Sequence, residues 1–491
     1  MPVGRALNGF PGFPGAAGGT PMTHACYERL SARDNLFLVA ETRTNLMHMA
    51  ALQIAETGGL RTPEGGIDAP RIARALAASL HRIPRYRQKL KDPRFGGRPV
   101  WVDAEKLDLD YHVRHVCLPR PGTQEQLQRE ASRIMELPLD RSRPLWEIWL
   151  IEGLDAGLQF AVLSKIHHCM LDGAAGAELA SILASPDPNE AIGAPEPYTP
   201  KPAPSSLELL LESWARRVSA PLRGARPVSR QGNGSAAHSE ARERLGALRE
   251  LASEALHRAS PTPLNGRQGP HRSVAWLTLP LSEVLALKRA LRCSVNDVVL
   301  GIVAGAVRRY LIHRNVDPAR IDFRVSTPVN MRDASQRGQL GNFVSSWIVP
   351  LPVAEADAAA RVEAICKCTF QLKQSRAALG VDTLLGISDW LPEPVVALSA
   401  RAAAGPVNMI VTNVPGPQIP LYLLGARMTE TYPMVPLFAN QGLGIALFSY
   451  SGGLYWGVSA DWDLFPDLHD FVVHLDASFR ELCDAADAAQ G

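Results

Sequence analysis

Apolar positions in the first half of the chain follow helical spacing in some segments and strand-like spacing in others. In residues 69–90 they recur every three or four residues, which predicts a helix that Pro84 ends. Residues 123–140 show the same spacing, and Thr123 with Gln126 has the pattern of a capping box at the start of that helix. Strands are predicted at residues 47–54, 111–118, 144–154 and 158–168.

The second half of the chain repeats this alternation. Residues 442–461 predict a β-hairpin that turns at Ser451, Gly452 and Gly453. The other predicted elements are strands at 273–281, 320–331, 344–353 and 406–417 and helices at 281–291, 295–314, 355–374, 392–404 and 466–485. Because strands and helices alternate in both halves, the sequence predicts two α/β domains side by side.

Glycine and proline mark the boundaries of these domains. Ten of the first 22 residues are Gly or Pro, which predicts a disordered tail, and residues 186–204 hold seven prolines, which predicts an extended linker. The predicted organisation is a tail at 1–22, an N-terminal domain at 23–185, a crossover linker at 186–270 and a C-terminal domain at 271–491.

Composition and charge exclude several classes of protein. The chain has 491 residues, 46% of them apolar and 20% charged, which excludes collagen, a coiled coil and wholesale disorder. Its formal net charge of +2 gives no support for nucleic-acid binding, which is typical of a basic domain or stripe, so we expect no nucleic-acid partner. The longest apolar run, residues 298–307, is half of the about 20 residues that span a bilayer, and no signal-peptide pattern precedes it. We therefore expect a cytoplasmic protein, with peripheral contact at the inner membrane or at lipid bodies left open.

The seven cysteines are scattered and odd in number, which does not indicate a disulfide framework. Cys366 and Cys368 could be zinc ligands or two ordinary helix positions, and no second ligand pair lies nearby in the sequence. We therefore expect no metal site in this protein.

The segment that carries chemistry is KIHHCMLDGAAG, residues 165–176, in which an apolar strand delivers two histidines to its end. If His167 and His168 are both extended, their side chains point to opposite faces, so only one faces a given cavity. A histidine has an unperturbed pKa of about 6.5 and is suited to take the proton of an alcohol as a general base. Asp172 could cap the helix that begins at Gly173, or pair with an arginine and fix the loop.

Rival chemistries fit the sequence less well. It contains no G-x-S-x-G elbow, no Walker lysine loop, no H-E-x-x-H and no G-x-G-x-x-G. A dyad of Cys169 with a histidine is disfavoured, because an extended backbone turns adjacent side chains apart. His168 and Asp172 could supply two metal ligands, but no third ligand is evident.

Several blocks of the sequence resemble one family. HHCMLDG at 167–173 matches the HHxxxDG motif of the coenzyme A-dependent acyltransferase superfamily. LPLDRSRPLWEIWLIEGL at 137–154, with its PLW element, is similar to a block of the bacterial wax ester synthase/diacylglycerol acyltransferase family. Further matching blocks are DNLFLVAETRTNLMHMAAL (34–52), RIPRYRQKL (82–90), PLNG (263–266), Asn296-Asp297, TPVNMR (327–332), GNF (341–343), TNVPGP (412–417) and residues 442–461. The resemblance covers roughly residues 24–485.

The resemblance implies a two-domain chloramphenicol acetyltransferase-like α/β sandwich with the active site in a central channel. It implies transfer of a long-chain acyl group from acyl-CoA to diacylglycerol or to a fatty alcohol, without metal or prosthetic group. His168 would be the general base, with His167 supporting it and Asp172 orienting the loop, paired to Arg85 or Arg332. Gly173 completes the motif.

Three further residues are candidates for contact with substrate. Asn296 or Asn413 could donate a hydrogen bond to the developing oxyanion, although Asn296 could equally cap the helix that opens there. Trp146 is either a core residue or part of a substrate wall. The segment at 206–218 has an amphipathic pattern, which predicts either an interfacial helix or a crossover helix packed on the second domain.

Two alternative functions stay open at this point. One is an acyltransferase or condensation protein of the same superfamily that uses another donor or acceptor. The other is a lipid-binding relative that has lost catalysis.

Overall fold

The fold is given by a computed structural model of the chain. It describes residues 27–93, 97–170, 184–190, 193–212, 214, 259–330, 344–374 and 407–488. The predicted tail at 1–22, the predicted helix at 392–404 and most of the predicted linker lie outside these residues.

Most helices of the described ranges lie where the apolar spacing predicts them, but those at 32–40 and 109–112 are not predicted, and the second includes the start of the strand expected at 111–118. The helices are α1 (Ala32–Ala40), α2 (Ala69–Ser79), α3 (Leu109–His112), α4 (Gln124–Glu136), α5 (Leu281–Ala290), α6 (Val295–His313), α7 (Ala358–Gln374) and α8 (Leu468–Ala488). The capping box predicted for α4 is confirmed, because the Thr123 hydroxyl accepts from the Gln126 N–H and the Gln126 side chain accepts from the Thr123 N–H. The helix predicted at 69–90 is shorter than expected and ends at Ser79, where 3₁₀ turns lead into Pro84.

The strands form two large sheets and one small one. They are β1 (Glu28–Arg29), β2 (His48–Glu56), β3 (Gln88–Lys91), β4 (Val100–Asp103), β5 (Val113–Cys117), β6 (Trp146–Leu154), β7 (Gln159–His167), β8 (Arg272–Pro280), β9 (Phe323–Asn330), β10 (Val344–Leu351), β11 (Met409–Pro415), β12 (Tyr422–Leu423), β13 (Ala426–Met434), β14 (Leu443–Tyr450) and β15 (Gly453–Asp461). The predicted hairpin is confirmed as β14 and β15.

The first large sheet has the order β12-β13-β2-β7-β6-β5. β2 and β7 are antiparallel, with His48 directly opposite His167. The second large sheet has the order β10-β9-β11-β14-β15-β8, and the small sheet the order β1-β4-β3. Both large sheets carry buried apolar clusters, which accounts for the nearly continuous apolar stretches of β7 and β15.

Two strands of the C-terminal half, β12 and β13, join the sheet of the N-terminal half. β13 follows the second domain's β11 in sequence, yet it pairs with β2 of the first sheet in antiparallel register. The domain boundary predicted at residue 271 does not account for this pairing, because no local sequence pattern indicates which sheet a strand joins.

The two halves also meet where β8 forms the edge of the second sheet. The backbone N–H groups of Arg272 and Val274 donate to Glu136 Oε1 and Ser132 Oγ of α4, both at 3.0 Å. Two backbone N–H groups of this edge strand are thereby satisfied by side chains of the other half.

Residues 206–212 are helical, and this segment packs on the first half. Leu209 is fully buried against Val100 and Val102 of β4, and Glu212 accepts a hydrogen bond from Arg29 at 3.0 Å. The expectation that this helix packs on the second domain is therefore wrong for its described part. The small sheet offers it an apolar patch and a cation, which sequence spacing does not reveal.

No single helix of the described ranges is both long and apolar enough to cross a membrane. By length and composition alone, the bent pair Leu281–Ala290 and Val295–His313 passes that test together, with 98° between the two helices.

Candidate active site

The two motif histidines lie at the point where β7 ends. His167 is the last residue of the strand and is buried, and His168 begins a 3₁₀ turn that runs to Met170. The backbone N–H of His168 donates to the Met47 carbonyl at 2.8 Å, which fixes the start of the turn next to β2.

Both histidine rings face α1, because the strand geometry stops between them. His168 stacks on Phe37 with ring centroids 3.7 Å apart and planes 15° apart, and His167 reaches Glu41. Phe37 and Glu41 are four residues apart and therefore lie on one face of the helix end. The opposite-face expectation for an extended pair does not apply to this turn.

The ring of His167 is held at both nitrogens. Its Nδ1 accepts a hydrogen bond from the Cys169 N–H at 3.2 Å, and its Nε2 lies 3.4 Å from Glu41 Oε1. Because Nδ1 is used as an acceptor, the proton of the neutral ring resides on Nε2, facing the carboxylate. His167 is thus oriented by a carboxylate and cannot turn toward a substrate without breaking both contacts.

Glu41 is the centre of a small ionic cluster. Its Oε2 accepts from Arg141 Nε at 3.1 Å, and its Oε1 accepts from the Met47 N–H at 3.2 Å. Burial opposes its ionisation, but the contacts with His167 and with Arg141 outweigh burial and lower the pKa of Glu41 to about 2. Glu41 is therefore a carboxylate at physiological pH.

His168 Nδ1 has no polar partner among the described residues, whereas His167 Nε2, which also lacks a hydrogen bond, lies within ion-pair distance of Glu41. Burial, and then the neighbouring His167, lower the pKa of His168 to about 4, so the ring is neutral at physiological pH. A neutral imidazole with an unpartnered nitrogen can take a proton, and the stacking on Phe37 fixes the plane of the ring.

A buried ion pair between Lys165 and Glu147 lies near the end of β7. Lys165 is fully buried, and its Nζ donates to the carbonyls of Ile134 and Leu137 at 3.1 and 2.9 Å at the end of α4. It also lies 3.3 Å from Glu147 Oε2. A cation at a helix C-terminus interacts favourably with its free carbonyls, so Lys165 ties β7 to α4.

Cysteine chemistry has no support at this site. The Cys169 thiol is buried, and burial, followed by the charges of Asp34 and Glu41, raises its pKa well above the usual range. A thiol that stays protonated is a poor nucleophile. Cys366 lies in α7, where burial raises the pKa of its thiol to about 12.

The structure brings the two asparagines of the sequence analysis together. Asn413 Nδ2 donates to Asn296 Oδ1 at 2.8 Å, which joins the end of β11 to the first turn of α6. The cap of α6 is Ser294, with Asp297 as its partner, so Asn296 is not the capping residue. Its amide N–H groups have no hydrogen-bond partner in the described part of the chain, so they can serve as donors.

The structure also describes Trp146 and Arg85, two further residues of the sequence analysis. Trp146 is fully buried, donates to the Tyr86 carbonyl at 2.9 Å and stacks on His112, which is the core role considered beside substrate contact. Arg85 donates to Glu28 at 2.7 Å and to Gln88 at 2.9 Å. The residues outside the described ranges are Asp172, Gly173 and Arg332.

Sequence reasoning missed Glu41 and Arg141 as parts of the site. Both lie within blocks that carry the family resemblance, 34–52 and 137–154, and that was the available signal. No spacing rule connects Glu41 with Arg141, because they are 100 residues apart and meet only through the fold.

The sequence is similar to two family models and to named proteins. The family model described as "Wax ester synthase/diacylglycerol acyltransferase catalytic domain" matches residues 30–299, and "WS/DGAT C-terminal domain" matches residues 340–483. A protein of Mycobacterium tuberculosis strain CDC 1551 named "Putative diacyglycerol O-acyltransferase MT1809" is 33% identical, over 94% of this chain and 91% of the relative. A protein of M. tuberculosis H37Rv named "Probable diacyglycerol O-acyltransferase tgs1" is 32% identical, over 80% of this chain and 83% of the relative.

Solved structures show the same fold. The wax ester synthase/diacylglycerol acyltransferase of Marinobacter aquaeolei VT8 superposes with a TM-score of 0.67 at 25% identity, over 94% of this chain and all of that one. The first condensation domain of the calcium-dependent antibiotic synthetase superposes with a TM-score of 0.57 at 17% identity, over 94% and 96% of the two chains. The two-domain α/β fold of chloramphenicol acetyltransferase-like enzymes is thereby confirmed.

Proposed function

Because the chain belongs to the wax ester synthase/diacylglycerol acyltransferase family and is an acyltransferase, we propose that it transfers a long-chain acyl group from acyl-CoA to the hydroxyl of diacylglycerol or of a fatty alcohol. The products are triacylglycerol or a wax ester, together with free CoA. The observation that carries this proposal is the neutral His168 ring, stacked on Phe37, with an unpartnered nitrogen at the end of the motif strand.

In this reaction His168 acts as the general base. A ring nitrogen of His168 takes the hydroxyl proton while the alcohol oxygen attacks the thioester carbonyl, so no covalent enzyme intermediate is needed. The tetrahedral intermediate then collapses, the C–S bond breaks, and the imidazolium returns the proton to the CoA thiolate. His167 supports the turn that holds the base and does not itself take the proton.

Two further roles belong to this proposal. The amide of Asn296, positioned by Asn413, donates a hydrogen bond to the oxyanion of the tetrahedral intermediate. For Asp172 we keep the orienting role that the family resemblance implies, and Gly173 completes the motif.

The direct test is an acyl-transfer assay with the purified full chain. Labelled palmitoyl-CoA is incubated with dioleoylglycerol or with hexadecanol, and the lipids are resolved by thin-layer chromatography. We expect labelled triacylglycerol or wax ester, with one CoA released per ester. CoA release without ester indicates a hydrolase, and neither product favours a superfamily member with another donor or acceptor, or an inactive lipid-binding relative.

The site of action that we propose is the cytoplasmic surface of the inner membrane or of lipid bodies, where such acceptors reside. The helix at 206–212 and Trp214 support this. Leu207, Leu211 and Trp214 are 62, 57 and 66% exposed and are four and three residues apart, so they share one face. The opposite face is held down by Leu209, and an exposed apolar face of this kind suits an interfacial helix.

Liposome flotation tests this contact. Leu211→Ser combined with Trp214→Ser should reduce the fraction of protein that floats with vesicles of phosphatidylcholine and phosphatidylglycerol. Leu158→Ser is the matched control, because Leu158 is 58% exposed in the turn between β6 and β7. Undiminished flotation of the double variant contradicts membrane contact through this face.

A further inference from the structure

The loop at 41–47, between α1 and β2, contacts both motif histidines. At its start Glu41 Oε1 lies 3.4 Å from His167 Nε2, and at its end the Met47 carbonyl accepts from the His168 N–H at 2.8 Å. The two ends are also tied to each other, because the Met47 N–H donates to Glu41 Oε1 at 3.2 Å. The orientation of His167 and the start of the turn that carries His168 therefore depend on where this loop lies.

A side chain of the C-terminal half reaches the middle of this loop. Arg272, the first residue of β8, is 7% exposed and donates from Nη2 to the Thr44 carbonyl. Thr44 lies within a turn that closes on itself, because the Thr42 N–H donates to the Asn45 carbonyl at 2.9 Å. A contact at Thr44 therefore holds the turn as a unit.

The guanidinium of Arg272 is itself fixed by the C-terminal half. Its Nη1 donates to Asp461 Oδ2 at 3.0 Å and to the carbonyls of Gly269 and His271, both at 2.9 Å. Asp461 is fully buried, and three backbone N–H groups of the same half donate to its carboxylate at 2.9 to 3.1 Å. Because a guanidinium is planar and rigid, holding Nη1 also fixes the direction in which Nη2 points.

We propose that Arg272 is a positioning residue for acyl transfer. It holds the loop at 41–47, and through this loop it fixes the ring of His167 and the turn that carries His168. The inference rests on the proposed function, and it adds that a side chain of the C-terminal half sets the geometry of the base in the N-terminal half. Arginine is required because the ammonium group of a lysine lacks the rigid fork that engages Asp461 and the loop together.

The test is steady-state acyl transfer by an Arg272→Lys variant of the full chain, with dioleoylglycerol and with hexadecanol. We expect kcat to fall about 10-fold with either acceptor and KM to change less than about 2-fold, because the base is misplaced while the substrate sites are kept. Combined with Glu41→Gln, the fall in kcat should be much smaller than the product of the two single falls, since both residues act through one loop.

Arg361→Lys is the matched control. Arg361 is 2% exposed and, like Arg272, is bound by one carboxylate, that of Glu481 at 2.9 Å, and by backbone carbonyls, but all of these partners belong to the C-terminal half. Its replacement should lower the melting temperature and leave kcat unchanged.

A second readout does not depend on catalysis. In hydrogen exchange followed by mass spectrometry, peptides that cover 42–48 and 166–170 should exchange faster in Arg272→Lys than in the wild type, and Arg361→Lys should not change them. Asp461→Asn removes the charge that holds Nη1 and keeps the shape of the side chain. It should have the same effects and serves if Arg272→Lys does not fold.

Other outcomes overturn the inference. An unchanged kcat, a change in KM alone, a double variant whose fall in kcat equals the product of the single falls, or an equal fall in Arg361→Lys would contradict it while the proposed function stands. A wild type inactive with both acceptors contradicts the proposed function instead. Hydrogen exchange then decides the inference, because unchanged exchange of both peptides in folded Arg272→Lys contradicts it and faster exchange of both supports it.

Discussion

Glu41 Oε1 lies 3.4 Å from Nε2 of the first motif histidine, His167, and so connects the end of α1 to the end of β7. Arg141 holds the same carboxylate from the other side. The contact therefore joins three segments that are far apart in sequence and fixes the ring orientation of the residue that precedes the proposed base. A positioning role for Glu41 follows from this geometry.

Replacement of Glu41 by glutamine tests that role. Glu41→Gln removes the charge that holds His167 and Arg141, so the turn that carries His168 loses its fixed orientation. We expect kcat to fall by about 10- to 100-fold, as is typical when a residue that orients a functional side chain is removed, with a smaller change in KM. The measurement is steady-state acyl transfer.

Glu56→Gln is the control for this substitution, because Glu56 lies at the far end of β2 and is exposed. It should leave kcat unchanged. If Glu41→Gln changes the melting temperature but not kcat, the contact is structural only and the positioning role is contradicted.

The pH dependence of the reaction should reflect the lowered pKa of His168. A lowered pKa keeps the base unprotonated to lower pH, so activity should persist as pH falls and be lost only near about pH 4. A histidine with the usual pKa of about 6.5 would leave roughly a tenth of the activity at pH 5.5. The check is a profile of kcat/KM from pH 4.5 to 8, with the melting temperature followed in parallel. An acid limb near pH 6.5 in folded protein would contradict the assignment.

The buried pair of Lys165 and Glu147 should be a large determinant of stability. Lys165→Met leaves the buried carboxylate of Glu147 without its cationic partner. We therefore expect a decrease of about 3–5 kcal/mol in the free energy of unfolding. Adding Glu147→Gln should recover part of that loss, since the uncompensated charge is removed. Urea denaturation measures both.

Lys367→Met is the control for the buried pair, because Lys367 is an exposed lysine paired along α7. It should change the free energy of unfolding by less than about 0.5 kcal/mol. A similar small change for Lys165→Met would show that Lys165 does not hold β7 to α4.

The elements of the fold were predictable where local pattern decides them. Thr123 with Gln126 gave the start of α4, and the glycines near 452 gave the turn between β14 and β15. The apolar stretch before His167 placed the motif at a strand end. Each of these features depends on residues within a few positions of one another.

Features set by distant residues were not predictable. The pairing of β13 with β2 and the contact of Glu41 with His167 depend on how the sheets assemble, which no spacing encodes. The faces of the two motif histidines could not be derived either. The strand ends between His167 and His168, so the alternation of side chains along a strand does not extend to the second ring. The role of Asp172 stays a prediction, as do those of Asn296 and Asn413 as oxyanion donors.

The measurement that tests the central claim most directly is ester formation by His168→Ala beside His167→Ala, with labelled palmitoyl-CoA and both acceptors. A general base contributes roughly 10²–10⁴ in rate, so His168→Ala should lose that factor with its melting temperature preserved. His167→Ala should lose less rate and more stability. Near-normal ester formation by folded His168→Ala, or a larger rate loss in His167→Ala, would contradict the assignment of His168 as the base.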